Sequence, residues 1–142
     1  MPPGPKSVIA VAAGVLDDAD GRVLITQRRA GSHAAGRWEF PGGKLLAGES
    51  PGQGLARELE EELGILVQHA DPLIAYRHEY DQRIVDLHVW RVLRYRGQPS
   101  GREGQPLRWI EVADLLSCGL LPADRPIVDL LLAEPRRPRE LP

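Results

Sequence analysis

The chain has 142 residues, of which 42% are hydrophobic and 27% are charged, and its formal net charge is −2. These values predict one soluble globular domain with a real core, and they give no reason to expect a nucleic-acid polymer as partner, because a phosphate backbone usually needs a basic surface. No apolar run approaches the roughly 18 residues of a membrane span. The first residues, MPPGPK, lack the hydrophobic core of a signal peptide, so we expect a cytoplasmic protein without a membrane partner.

The N-terminal part of the chain predicts the start of a sheet. After a Pro/Gly-rich lead at residues 1–6, Val8 to Leu16 is a continuous run of small and β-branched residues that favours a strand buried on both faces. A turn at residues 17–21 leads to a second strand at Val23 to Thr26, so the two strands are predicted to form a hairpin.

A polar, glycine-rich segment follows, from Arg28 to Gly48, with the sequence WEFPGGK at its centre. Glycines at positions 42 and 43 allow the backbone to approach a ligand or metal closely. An ordinary turn is the simpler interpretation of Pro-Gly-Gly taken alone.

A helix is predicted next from its local signals. Ser50 is a good N-cap, Pro51 suits the first helical position, Gln53 completes a capping box, and Gly64 is a typical stop. The apolar stripe expected to face the core consists of Leu55, Leu59 and Leu63.

Three glutamates of this helix form an unfavourable cluster. Glu58, Glu61 and Glu62 have i, i+3 and i+4 spacing, so their carboxylates share one face near the helix C-terminus, where the macrodipole also disfavours negative charge. A hard divalent cation such as Mg²⁺ is the natural compensator. A solvated acidic face is the alternative.

The rest of the chain predicts two further strands, at Pro72 to Tyr80 and Arg83 to Tyr95, and then a flexible loop at residues 97–104. The last expected elements are a short strand at Leu107–Val112, a helical turn at Ala113–Ser117 and a helix at Asp124–Ala133 with Ile127, Leu130 and Leu131 inward. Asp124 is a possible N-cap of that helix. Cys118 is interpreted as a buried structural thiol.

The helical segment resembles the Nudix box, G-x5-E-x7-R-E-U-x-E-E-x-G-U with U aliphatic. Its fixed positions fall without a mismatch on Gly43, Glu49, Arg57, Glu58, Leu59, Glu61, Glu62, Gly64 and Ile65. The resemblance implies an α/β fold, the Nudix α/β/α sandwich with a mixed β-sheet between helices. The domain is expected at residues 7–134, with 135–142 as a flexible tail or linker.

Two further segments resemble the MutT-type branch of the family. WEFPGGK implies that the Gly42 carbonyl is a metal ligand and that Lys44 lies near the phosphates, and REGQP implies that Glu103 adds one more carboxylate to the metal site. The implied metal ligands are Gly42, Glu58, Glu61, Glu62 and Glu103, and the implied cofactor is Mg²⁺, which Mn²⁺ can replace.

The activity implied is hydrolysis of a nucleoside triphosphate to a monophosphate and pyrophosphate by metal-activated water. Arg57 is expected to orient carboxylates, and Glu49 to position or hold a metal from just outside it. The general base is either Glu58 or Glu103, which the pH dependence of kcat in the two Glu→Gln variants would separate.

The segment LPADRP resembles the place where MutT-type enzymes hold the base, but it has Asp124 where the 8-oxoguanine enzymes typically have asparagine. Ionised Asp can only accept hydrogen bonds, which suits the amine of cytosine, whereas a protonated Asp recovers a donor for 8-oxoguanine. Tyr80 is expected to stack on either base. Arg28 is a candidate phosphate contact, although a surface arginine is the plainer interpretation.

Overall resemblance therefore favours 8-oxo-dGTP as the small-molecule substrate, with CTP, dCTP or a modified pyrimidine triphosphate as the alternative. Other Nudix proteins cleave ADP-ribose or dinucleoside polyphosphates, and a non-catalytic nucleotide-binding module is the alternative of another class. The protein is expected to be a monomer or a weak dimer.

Overall fold

The computed structural model describes residues 4–135. Within these residues, seven strands, two α-helices and two short 3₁₀ helices follow one another. The strands are β1 Ser7–Leu16, β2 Val23–Gln27, β3 Trp38–Glu39, β4 Gly42–Lys44, β5 Leu66–Glu79, β6 Arg83–Arg96 and β7 Leu107–Ile110. The helices are α1 Pro51–Leu63 and α2 Arg125–Ala133, and the 3₁₀ helices are Val112–Ser117 and Pro122–Asp124.

The strands form two sheets between the helices. A mixed four-stranded sheet has the order β4-β1-β6-β5, with β1 parallel to β6, and an antiparallel three-stranded sheet has the order β3-β2-β7. Helix α1 packs on one apolar core, and α2 with the first 3₁₀ helix packs on another. The predicted α/β/α sandwich with a mixed sheet is confirmed, with the strands divided between two sheets.

The prediction that β1 and β2 pair with each other as a hairpin is wrong. A tight turn joins the two strands, but only Asp17 and Val23 pair across it. The reason is competition for strand edges, because β1 pairs with β4 and β6 while β2 pairs with β3 and β7.

Helix α1 forms as its local signals predicted. The Ser50 side chain accepts from the Gln53 N–H, the Gln53 side chain accepts from the Ser50 N–H, and Gly64 ends the helix at a φ of 74°. The three leucines of the stripe, Leu55, Leu59 and Leu63, are buried against the core.

The start of β5 and the buried face of α2 differ from prediction. Strand β5 begins at Leu66, six residues before the expected start at Pro72, because a register shift between Pro72 and Ile74 accommodates the proline within the strand. In α2 the buried residues are Ile127, Val128 and Leu131, whereas Leu130 is only half-buried.

The ends of the chain limit two expectations. Residues 1–3 of the expected lead and 136–142 of the expected tail lie outside the described residues. Within residues 4–135, no helix is both long and apolar enough to cross a bilayer.

Candidate active site

Helix α1 presents its acidic side chains next to strand β4. The leucine stripe fixes the rotation of the helix on the core, so Glu58 and Glu62 lie half-buried toward β4 and Glu61 is exposed. The charged cluster predicted for one face is therefore divided, with Glu61 at its solvent edge.

Arg57 binds the carboxylates on either side of it. Its guanidinium donates to both oxygens of Glu49, at 2.8 and 3.0 Å, to Glu58 at 2.9 Å and to Glu61 at 3.1 Å. It also donates to the Lys44 carbonyl at 2.9 Å, which ties the helix to β4. The hydrogen bond from Arg57 lowers the pKa of Glu49, so that carboxylate stays ionised.

Strand β4 approaches the helix closely through its two glycines. A Cβ at Gly42, whose φ is 156°, would overlap the Ala12 carbonyl of β1, and a Cβ at Gly43 would overlap the Glu58 carboxylate. The Gly42 N–H donates to Glu62 at 3.0 Å. The glycine pair thus allows two glutamates to lie directly on the backbone of β4.

Burial raises the pKa of both inner glutamates. For Glu62 burial is the largest cause and the pKa reaches about 7, with the Glu39 charge adding to it and the Gly42 N–H opposing it. For Glu58 burial also raises the pKa, with Arg57 opposing. The site carries more negative charge than its buried environment favours.

The loop before β7 brings Glu103 to the same place. The loop is anchored to the C-terminus of α1 by backbone hydrogen bonds from Ser100 to Leu63 at 3.0 Å and from Arg102 to Glu62 at 3.1 Å. The Glu103 carboxylate pairs with Arg29 at 3.0 Å in an exposed ion pair.

A cavity of about 220 Å³, called here the acidic cavity, joins these groups. It is lined by Gln27, Arg28, Arg29, Ser32, Glu39, Gly42, Glu58, Glu62, Glu103 and Gln105. Of the five predicted metal ligands, Gly42, Glu58, Glu62 and Glu103 line it, and Glu61 does not.

The donor atoms of the acidic cavity suit a hard divalent cation. Carboxylate and carbonyl oxygens are the ligands that Mg²⁺ prefers. Within residues 4–135, however, no three Asp, Glu, His or Cys side chains stand in an arrangement that could hold a metal ion. Arg57, the Gly42 N–H and Arg29 bind Glu58, Glu62 and Glu103, respectively, and a cation would have to replace part of these contacts.

A second cavity, called here the base cavity, has a volume of about 370 Å³ and adjoins the first. The two share Arg28, Ser32, Glu39 and Gly42 in their linings. All four predicted substrate-binding residues line the base cavity: Arg28, Lys44, Tyr80 and Asp124.

Asp124 is a buried side chain of the base cavity and not a helix cap. It is 4% exposed, makes no capping hydrogen bond, and accepts the Phe40 N–H at 3.0 Å. Burial raises its pKa to about 7, the nearby Glu39 charge adds to this, and Arg28 and the Phe40 N–H oppose it. Both its protonated and its ionised form are therefore populated near neutral pH.

Tyr80 lines the base cavity and contacts other rings. The His33 ring packs edge-on against it with centroids 5.4 Å apart, the His78 ring does so at 4.7 Å, and the Arg83 guanidinium lies 5.6 Å from its centroid. The predicted stacking residue therefore lines the base cavity, and its stacking role stays a prediction.

Glu39, Arg29 and Gln105 are among the residues of the site that were not singled out from the sequence. Glu39 lines both cavities and pairs with Arg28 at 3.0 Å, Arg29 pairs with Glu103, and Gln105 lies between Glu62 and Glu103. The only available signal was their position inside WEFPGGK or REGQP, or directly after Arg28.

Comparison with known proteins gives a family match over most of the chain. A family model described as NUDIX domain matches residues 12–130. An 8-oxo-dGTP diphosphatase of Haemophilus influenzae is 40% identical over 129 residues, 91% of this chain and 95% of the relative. A CTP pyrophosphohydrolase of Escherichia coli is 39% identical over 126 residues, 89% of this chain and 93% of the relative.

Solved structures agree with this match. One from a study of MutT from Aliivibrio salmonicida and Vibrio cholerae superposes with a TM-score of 0.77 at 37% identity. The alignment covers 89% of this chain and 98% of that one.

Proposed function

The chain belongs to the Nudix family, in its MutT-type branch, and we propose that it hydrolyses a nucleoside triphosphate to a monophosphate and pyrophosphate, with 8-oxo-dGTP as the preferred substrate. The observation that carries the proposal is the pair of adjoining cavities, one lined by glutamates and one containing the buried Asp124. A nucleotide needs both, because its phosphates require charge compensation and its base requires a largely enclosed pocket. The activity is assigned to residues 7–134.

Nudix hydrolases generally need a divalent metal, and we assign Mg²⁺ to this chain, with Mn²⁺ as a substitute. Glu58, Glu62, Glu103 and the Gly42 carbonyl would hold it. Glu61 would have to turn inward to join them, since 57% of its side chain is exposed. When bound, the cation neutralises negative charge on the phosphates and lowers the pKa of water.

The protein's own groups orient the reaction. Arg57 and Glu49 hold Glu58 in place, and Glu58 or Glu103 accepts the proton of the attacking water as general base. Lys44 and Arg28, two of the cationic residues that line the base cavity together with Gly42 and Gly43, are assigned to the phosphates.

Asp124 supports a second candidate substrate. Its protonated form can donate to the O6 of 8-oxoguanine, whereas its ionised form can only accept, as the exocyclic amine of cytosine requires. A pKa of about 7 allows either form at neutral pH. CTP, dCTP or a modified pyrimidine triphosphate is therefore the alternative, in agreement with the activity named for the E. coli relative.

The deciding measurement is pyrophosphate release with Mg²⁺. The values of kcat/KM for 8-oxo-dGTP, dGTP, dCTP and 5-methyl-dCTP would be compared in the wild type and in Asp124→Asn. We expect 8-oxo-dGTP to lead by about a hundredfold, roughly 2.7 kcal/mol of transition-state discrimination, and Asp124→Asn to keep that preference because the amide also donates.

Other outcomes of this measurement identify the alternatives. A lead for the cytidine nucleotides that Asp124→Asn abolishes would establish the second candidate. Orthophosphate as the sole phosphate product would contradict the assigned bond cleavage. Failure to hydrolyse any of these nucleotides, or ADP-ribose or a dinucleoside polyphosphate, would favour a nucleotide-binding module.

The proposed setting is the cytoplasm, where the enzyme removes oxidised nucleotides before DNA replication uses them. Free nucleotides, and not a nucleic-acid polymer, are the partners that a net charge of −2 favours. We assign a monomer or a weak dimer, which sedimentation at micromolar concentration would test.

A further inference from the structure

The glutamates of the acidic cavity that are predicted to hold the metal come from two elements that must be held in register. Glu58 and Glu62 belong to α1, whereas Glu103 belongs to the loop between β6 and β7. A site shared between a helix and a loop needs a contact that fixes the loop on the helix, because loops are more mobile than the elements they connect.

Gln105 has the geometry of such a contact. Its side-chain Nε2 donates to the Glu62 carbonyl at 3.0 Å, and its Oε1 accepts the Glu103 N–H at 3.0 Å. The residue is only 7% exposed, and both hydrogen bonds are part-buried. One buried amide thus connects the main chains of two glutamates of the cavity.

Few side chains can replace this amide. The Gln105 amide has an oxygen that accepts the Glu103 N–H and an NH₂ group that donates to the Glu62 carbonyl. An ionised carboxylate could accept the N–H, but it has no donor for the carbonyl. An apolar side chain of equal length would leave the Glu103 N–H without this acceptor, and the Glu62 carbonyl would keep only the hydrogen bond from the Arg102 N–H. The chemistry of the position therefore calls for glutamine.

The turn around Glu103 is built against the same residue. Gly104 adopts a φ of 81° and its N–H donates to the Gly101 carbonyl at 2.9 Å, which closes a tight turn. A Cβ on Gly101 would overlap the Gln105 carbonyl. The turn that carries Glu103 is consequently packed on the residue that reaches the helix.

We propose that Gln105 is a positioning residue that fixes Glu103 relative to Glu62 and thereby sets the geometry of the metal site. This inference rests on the proposed function, because it concerns the divalent cation which that function requires. Gln105 acts through main-chain groups and contacts neither cation nor substrate.

The test measures binding of Mn²⁺ alone by electron paramagnetic resonance, without nucleotide, in four proteins. These are the wild type, Gln105→Met, Glu103→Gln and the double variant. We expect Gln105→Met to weaken Mn²⁺ binding by about tenfold to a hundredfold, as loss of groups that orient a ligand typically does. In a protein that already carries Glu103→Gln, adding Gln105→Met should not weaken Mn²⁺ binding further, because Gln105 acts by positioning Glu103.

Three results would overturn the inference: wild-type affinity in Gln105→Met, an equal loss with and without Glu103, or no effect of Glu103→Gln itself. Gln98→Met, an exposed glutamine of the same loop, is the matched control and should bind Mn²⁺ as the wild type does.

Folding is checked by circular dichroism and melting temperature. If Gln105→Met does not fold, Gln105→Asn keeps the amide but is one methylene too short to reach both partners, and it should show the same loss. If neither folds, Gln105 maintains the fold and the positioning role is wrong. Pyrophosphate release by the wild type tests the proposed function separately. If the wild type releases pyrophosphate and Gln105→Met binds Mn²⁺ as tightly as the wild type, the positioning role is wrong and the proposed function stands.

Discussion

At the scale of single residues, Arg57 is the central connection of the site. Its guanidinium donates to the carboxylates of Glu49, Glu58 and Glu61 and to the Lys44 carbonyl. These acceptors come from three segments: the loop before α1, α1 itself and strand β4. A planar guanidinium has five N–H donors in a fixed fork and can hold a carboxylate through two parallel hydrogen bonds, a geometry that the three donors of an ammonium group do not match. The role predicted from the sequence, orienting carboxylates, agrees with these contacts and stays a prediction until activity is measured.

Arg57→Lys tests that role. The charge remains, but the bidentate contact with Glu49 and at least one of the other contacts are lost, so we expect kcat to fall by about tenfold to a hundredfold. The measurement is steady-state pyrophosphate release at saturating Mg²⁺. Arg77→Lys is the matched control, because Arg77 binds both oxygens of Asp86 at 2.7 and 3.1 Å outside the two cavities, and its kcat should be unchanged. Wild-type kcat in Arg57→Lys would contradict the role.

The sequence predicted these residues unevenly. Glu58, Glu62 and Glu103 were placed by their spacing and by the resemblance, and all line one cavity. Glu39 and Gln105 were not singled out, because their importance arises from contacts with residues distant in sequence, which no local pattern records. The burial of Asp124 could not be predicted either, since the sequence pattern is the same for an Asp that caps a helix and for an Asp that is buried.

At the scale of elements, the approach of β4 to α1 determines where Glu58 lies. Gly43 leaves no side chain between the strand and the Glu58 carboxylate. The helix boundaries were predicted well because caps are local, whereas the pairing of β1 and β2 was wrong because strand partners are chosen by the whole sheet.

Gly43→Ala tests the approach of the two elements. The added methyl would overlap the Glu58 carboxylate and displace it, so we expect a loss of at least about tenfold in kcat with the fold retained. Gly52→Ala is the control. Its Cβ would meet the Trp90 ring at an ordinary 3.6 Å, so neither the activity nor the free energy of unfolding should fall. Unchanged kcat in Gly43→Ala would show that Glu58 has room to move.

At the scale of the whole molecule, buried acids make stability depend on pH. Glu62 and Asp124 both have a pKa raised to about 7 by burial. In the unfolded chain such groups ionise near pH 4. Between these values the folded state keeps protons that the unfolded state has lost, so the free energy of unfolding falls as pH rises from about 4 to 7 and stays low above that.

Asp124→Asn should remove the contribution of Asp124 to the pH dependence of the free energy of unfolding. Asparagine keeps an acceptor for the Phe40 N–H and carries no charge, so the stability of the variant relative to the wild type should rise between pH 5 and pH 8. The expected rise is about 2–3 kcal/mol, because each pH unit below the folded pKa contributes about 1.4 kcal/mol. Urea unfolding of the protein without substrate at both values is the measurement.

Asp129→Asn provides the comparison for that measurement. Asp129 lies on the same helix with 59% of its side chain exposed, and its replacement should shift stability equally at both pH values. An Asp124→Asn variant whose advantage does not grow with pH would contradict the raised pKa.

The parallel pairing of β1 with β6 also constrains how the chain acquires its structure during synthesis. Every residue of β1, from Ser7 to Leu16, has its partner between Arg83 and Val92. Each residue of β1 therefore leaves the ribosome 76 residues before its partner, about half of the chain, and its parallel edge stays uncovered during that interval. Such distant pairing slows folding, so completion is expected in milliseconds to seconds, and the apolar stretch of β1 is exposed to aggregation during that wait.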